Sequence, residues 1–195
     1  MTLNLLIDNG HGRETPGKRS PDGLLREWEW TRRCAREVCA RLNALGRVNA
    51  ALVTPEEHDV SLAERVRRVN DICKRHGARN CLLLSIHNNA AGGGAQWLAA
   101  RGFSPWVYTK AGEQARRMAL ILQTLAETRG LKGNRAVPPR KYWEANFYIL
   151  KHTACAAVLT ECLFQDNRED VDYLLSDEGF NTLVKLHVDA VIKFA

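Results

Sequence analysis

Two histidines and two glutamates stand where a hydrolytic metal centre would need them. His11 follows the apolar run LNLLI, His87 follows CLLLSI and Glu161 follows AAVLT. Three apolar segments thus each deliver a metal-capable or acid/base group at or just past their carboxyl ends. In an open α/β sheet the carboxyl ends of parallel strands share one edge, and ligands bind in the crevice there. A catalytic zinc takes three N or O ligands from protein and keeps a further position for water, so two imidazoles need one carboxylate more. Glu27 and Glu161 are the candidates. Spacing leaves open which of them ligates and which passes a proton from water to a leaving group.

The elements that must position these groups alternate as in an α/β domain. Leu3 to Ile7 reads as a buried strand, followed by a loop from Asn9 to Gly23. Trp28, Ala35, Val38, Cys39, Leu42 and Leu45 then recur at helical spacing up to Gly46. Val48 to Val53 suits a second strand. Ser61 and Glu64 fit a capping box opening a helix whose inner face is Leu62, Val66, Val69 and Cys73 and whose end is Gly77. Cys81 to Ile86 is an almost wholly apolar strand closed by His87. Gly102 to Thr109 reads as a strand that Pro105 assigns to an edge or a bulge. A helix is expected over Gly112 to Arg129, a polar loop over Leu131 to Ala145, a short run at Asn146 to Leu150, and a buried strand over Ala156 to Thr160 closed by Glu161. Phe180, Leu183, Val184, His187, Val191 and Phe194 mark a final helix. The expected fold is a single α/β domain over residues 1–195, with a mostly parallel or mixed central sheet and helices on both faces.

At 195 residues and 45% hydrophobic, the chain suffices for one sizeable core. Its six cysteines form no Cys-x-x-Cys pair and mostly sit in apolar periodic segments, so free buried thiols are expected rather than disulfides. A net charge of +6 favours an anionic partner. The opening residues carry no basic start before an apolar run far too short to span a bilayer. They read as neither signal peptide nor anchor, and the expectation is a protein held in the cytoplasm until release.

Four segments, IDNGHG (7–12), Glu27 in LLREWEW, SIHNN (85–89) and VLTECLFQDN (158–167), resemble in order and spacing the signature segments of zinc-dependent N-acetylmuramoyl-L-alanine amidases, the family of bacterial autolysins and phage endolysins. SLAERVRRVN resembles the family's helix carrying an Arg and a later Asn, here Arg65 and Asn70. The resemblance implies that His11, Glu27 and His87 bind one zinc ion, that Glu161 is the catalytic carboxylate and that Asn89 contacts substrate. The implied reaction is hydrolysis of the amide between the lactyl group of N-acetylmuramic acid and the L-alanine of the stem peptide. Peptidoglycan is the implied partner, with neither nucleic acid nor an integral membrane contact. Asn9, Ala156, Cys162 and Leu163 depart from the usual pattern, and none of them removes an implied ligand.

Other residues have plainer readings beside functional ones. Trp30 is a sugar-stacking candidate, although Trp28 and Trp30 cannot share one face of a helix. Arg140, Tyr142, Trp143 and Glu144 could grip glycan or peptide from their loop. His58 reads as a surface residue, His76 as a helix-end residue placed against the dipole and His187 as a core residue, while His152 could approach the cleft. Cys162 points away from the face of Glu161. A two-metal nuclease would need more converging carboxylates. A glycan deacetylase or a catalytically silent wall-binding module remains as the competing class.

Overall fold

The computed structural model describes residues 2–195. Six strands, β1 (Leu3–Asn9), β2 (Val48–Leu52), β3 (Cys81–Asn89), β4 (Ser104–Val107), β5 (Trp143–Glu144) and β6 (Ala156–Phe164), form one mixed sheet in the order β2-β1-β3-β6-β4-β5. The first four in that order run parallel, β4 runs antiparallel to β6, and β5 is parallel to β4. Four α-helices lie between strands, α1 (Glu27–Leu45), α2 (Leu62–His76), α3 (Glu113–Thr128) and α4 (Tyr148–His152), and two follow β6, α5 (Arg168–Leu175) and α6 (Asp177–Phe194).

The apolar runs of β1, β3 and β6 follow from cover on both faces. Leu5, Ile7, Leu82, Leu84 and Val158 face a core made with α1, α3, α5 and α6. Leu6, Leu83, Ala157 and Leu159 face a smaller core with α2 and α4. Ser61 caps α2 by accepting from the Glu64 amide at 3.3 Å, and Gly46, at φ 65°, closes α1 in the left-handed conformation that favours glycine. All six cysteines are free, four of them buried. Among the described residues no helix is long and apolar enough to cross a membrane.

Several boundaries differ from the sequence expectation. β3 and β6 run three or four residues further, to Asn89 and Phe164, so His87 and Glu161 lie within strands rather than closing them. β4 is not an edge strand. Pro105 is tolerated because the outer partner β5 pairs only at Trp106 and Val107. That two-residue strand lies inside the expected 131–145 loop, and the run beginning at Asn146 turns into α4.

His187 is buried in the larger core as its periodicity implied. Its Nδ1 lies 2.7 Å from the Leu183 carbonyl, which can only accept, so the remaining nitrogen, Nε2, receives the Thr160 hydroxyl at 3.0 Å. Burial lowers its pKa from 6.5 to about 4, against the pull of the Leu183 carbonyl. The unfolded chain therefore takes up this proton first as pH falls. The stabilisation is complete above 6.5 and drains away between 6.5 and 4, by about 3 kcal/mol in all. In urea titrations, the stability advantage of the wild type over His187→Leu is expected to shrink by that order between pH 7 and pH 4.5. An advantage independent of pH would contradict a neutral, buried His187.

Candidate metal centre

The site begins where β1 ends. Asp8, buried under the sheet edge, accepts from the Ser85 hydroxyl at 2.6 Å and from Arg65 Nη1 at 2.7 Å. Arg65, only 2% exposed, reaches up from α2 and also donates to the carbonyls of Asn9 (2.5 Å), Val60 (2.8 Å) and His11 (3.3 Å). Arg32 of α1 donates to the same His11 carbonyl at 3.0 Å, and to those of Trp28 (3.1 Å) and Glu56 (2.6 Å). His11 needs this hold. Its φ of 60° is a left-handed conformation that a residue with a Cβ adopts at a cost of the order of 1 kcal/mol.

Gly10 is required for a different reason. A Cβ built there would lie 2.5 Å from His87 Nδ1 and 2.8 Å from its Cε1, inside the imidazole. The bare backbone lets the end of β1 close against β3, where the Gly10 amide donates to the Ile86 carbonyl at 2.9 Å.

Glu27 opens α1 and is 1% exposed. Its Oε1 lies 3.1 Å from His87 Nδ1 and 3.4 Å from His11 Nε2, and accepts from the Asn88 amide at 3.0 Å. Its Oε2 is buried with no hydrogen-bond partner. One ligand-capable atom from each of His11, Glu27 and His87 lies within 4.8 Å of the others. Burial would raise the Glu27 pKa, but the hydrogen bond and charge of His87, with His11 behind it, hold it below the ordinary value. Burial opposes the charge on His87, yet Glu27 pulls its pKa up, whereas burial carries His11 down to about 4.

Glu161 faces His87 in the β3–β6 register. One of its oxygens, Oε2, is buried without a partner, and burial drives the carboxyl up to about 7, with Glu27 adding to the rise and His87, Lys18 and Arg135 opposing it. The register shifts between His87 and Asn89, and Leu163 takes φ 65°, so the two strands are irregular beside the site. A cavity of about 390 Å3 opens against His11 and His87, lined also by Asp59, Val60, Ser61, Leu62 and Arg65.

Buried carboxylate oxygens without donors are costly and rare in folded proteins. Two imidazoles, one committed carboxylate and an orphaned oxygen between them make a donor set that is short of a cation, and it suits a borderline divalent ion. His11, Glu27 and His87 form a possible metal site. The N-acetylmuramoyl-L-alanine amidase family model matches residues 5–193. The chain belongs to that family. It is 25% identical over 199 residues to an endolysin of Bacillus phage SPP1, covering 98% of this chain and 65% of the endolysin. It is 28% identical over 196 residues to the amidase CwlM of Bacillus licheniformis, covering 98% of this chain and 68% of CwlM. The chain thus spans about two thirds of each relative. Its fold matches a Clostridium difficile 630 amidase with a TM-score of 0.84 at 21% identity, covering 99% of this chain and 96% of that one. The catalytic domain of CwlV from Bacillus (Paenibacillus) polymyxa matches at 0.81 and 20%, covering 99% and 98%.

The remaining sequence candidates lie elsewhere. Trp30 is no sugar platform. It is buried against Phe180, and its indole N–H donates to the Leu174 carbonyl at 2.9 Å. Trp28 is the half-buried one, with Arg13 and Arg32 over its ring. His152 is exposed on α4 against Tyr148, before β6 begins and so at the far end of that strand from Glu161. His58 and His76 are exposed, and Cys162 is buried beside Thr160 and His187. Asn89 is half-buried at the end of β3, its Oδ1 taken by the Ala90 amide at 2.8 Å. Arg140 pairs with Glu144 at 3.1 Å, and Trp143 packs on Trp106. Sequence reading missed Arg32, Lys18 and Arg135. They lie on a helix face or in loops, where no periodicity marks them.

Arg65→Ala leaves Asp8 buried without its cation, and a loss of about 3–5 kcal/mol in unfolding free energy is expected from chemical denaturation. A loss below about 1 kcal/mol, the scale of a surface pair, would mean that Arg65 does not carry the end of β1.

Proposed function

We propose that residues 1–195 act as one catalytic domain that hydrolyses the amide between N-acetylmuramic acid and the L-alanine of the peptidoglycan stem, with one zinc ion held by His11, Glu27 and His87. The observation that carries this reading is the His–Glu–His cluster, with its orphaned Glu27 oxygen, set beside a second carboxyl whose pKa stands near 7. Family membership supports the choice of bond. The likeness to the SPP1 endolysin supports a phage or prophage origin, with release onto the wall at lysis.

Zinc bound there supplies Lewis-acid polarisation of the scissile carbonyl and makes water more acidic. Glu27 fixes both imidazoles through one oxygen and balances the cation's charge. Arg65, Arg32 and the bare backbone at Gly10 keep His11 and His87 in place. Glu161, a carboxyl whose burial raises its pKa, takes a proton from the attacking water and returns it to the departing alanine nitrogen, so that one group serves both halves of the reaction. The 390 Å3 cavity beside the histidines gives the chain flanking the scissile bond a place to lie.

Mass analysis of purified peptidoglycan digests is the direct test. Stem peptides bearing a free L-alanine amine are expected, abolished by a chelator and reduced about 10²–10⁴-fold in Glu161→Gln. Release of acetate with peptides still attached would establish a deacetylase instead, and absence of any product from zinc-loaded protein on several wall types would favour a binding module. Gly10→Ala should weaken zinc binding by about 10–100-fold in competition with a chromophoric chelator, with the helical circular dichroism kept. Unchanged affinity would remove His87 from the ligand set.

A further inference from the structure

On the β4–β6 side of the site stands a cation whose partner is missing. Arg135 lies in the 131–142 connection, with its guanidinium 4.9 Å from the ring centres of both Trp143 and Phe164. Its Nη2 is buried with no hydrogen-bond partner, and among the described residues it forms no ion pair. Burial lowers its pKa while the charges of Glu161 and Asp170 raise it, and its own charge acts on Glu161 in return.

The turn that presents it is fixed on both sides. The Asn134 side chain donates to the Ala99 carbonyl at 2.7 Å and accepts from the Arg101 amide at 3.0 Å, and the Phe103 amide donates to the Leu131 carbonyl at 2.8 Å. Two aromatic rings and a stapled turn therefore hold a half-desolvated cation in one place with a donor unused. Unpaired buried charge is costly, and guanidinium donors match carboxylate geometry closely.

The proposed substrate says where such an anion would be. The one carboxyl of the muramoyl unit is consumed in the scissile amide, and the rest of the sugar is neutral, so negative charge resides on the peptide. Building on the amidase reading, we propose that Arg135 binds a carboxylate of the stem peptide on the leaving-group side of the scissile bond, and so selects acidic over amidated stems.

The test uses the full chain with zinc supplied, and peptides differing at one group, a free carboxylate or its primary amide on the residue after L-alanine. In calorimetry with the free peptides, wild type is expected to prefer the acid by roughly tenfold or more. Arg135→Gln should lose that preference and Arg135→Lys keep part of it, with thermal unfolding checking that each variant folds. With the matching N-acetylmuramoyl peptides, Arg135→Gln should lower kcat/KM for the acid roughly tenfold more than for the amide, which removes the ratio between them. Equal binding of acid and amide by wild type, or equal loss on both substrates in Arg135→Gln, overturns the proposal. If neither substrate turns over, the amidase reading fails, and the calorimetric preference alone decides the role of Arg135.

Discussion

The buried ion pair between Arg65 and Asp8 is the contact on which the rest of the site depends. Solvent cannot reach it, so neither charge can be stabilised except by the other and by the groups around them. Arg65 meets this demand by also donating to the main-chain carbonyls of Asn9 and His11 around the end of β1 and of Val60 ahead of α2, and Ser85 meets it by donating to the second oxygen of Asp8. The same contacts that make the pair tolerable fix the path of residues 8–11. The left-handed turn at His11 is thus a product of the electrostatics below it, and α1, α2, β1 and β3 are all tied into one arrangement before any ligand is considered.

Charge is distributed around this arrangement in layers. Asp8 lies beneath the edge, Glu27 within the cluster, and Glu161 across from His87, while Lys18 and Arg135 act on Glu161 from the loops. Each carboxyl therefore has a different environment. Glu27 is held ionised by imidazoles, and Glu161, which has no close donor on its buried oxygen, is left near the neutral point. Identical side chains acquire distinct acidities because one opens a helix between two histidines and the other sits in a strand flanked by hydrophobic cores.

The sequence made the positions of the four central groups legible because each follows or opens a segment with a strong pattern. His11, His87 and Glu161 are found from apolar runs, and Glu27 lies just before the helical stripe read over Trp28, Ala35, Val38 and Leu42. Periodicity also located the caps at Ser61 and Gly46. It could not set the ends of β3 and β6, since Asn88, Asn89 and Gln165 are polar and remain paired only through a register shift peculiar to this pair of strands. Nor could it assign Trp30 to the core, because Trp28 is equally aromatic and only the docking of α5 and α6 decides which face is covered. Arg32 reads as an ordinary helical cation and Arg65 is marked only by the family resemblance, and the role of both lies in distant carbonyls. Arg135 sits in a stretch with Pro138 and Pro139 that carries no pattern at all, and its rings come from β5 and β6, eight and 29 positions further on.

The order of strands in the sheet has a consequence for how the protein is made. β6 is the last strand to leave the ribosome, yet it lies between β3 and β4, both synthesised well before it. Until it arrives, β3 has a bare edge, β4 and β5 have no sheet to join, and both hydrophobic cores lack a wall. Local helices can form early, but the long-range pairing that completes the sheet waits for almost the whole chain. The polypeptide therefore gains a finished cleft in one late step, and an interrupted translation product ending before residue 156 would have neither Glu161 nor the surface against which its surroundings are built.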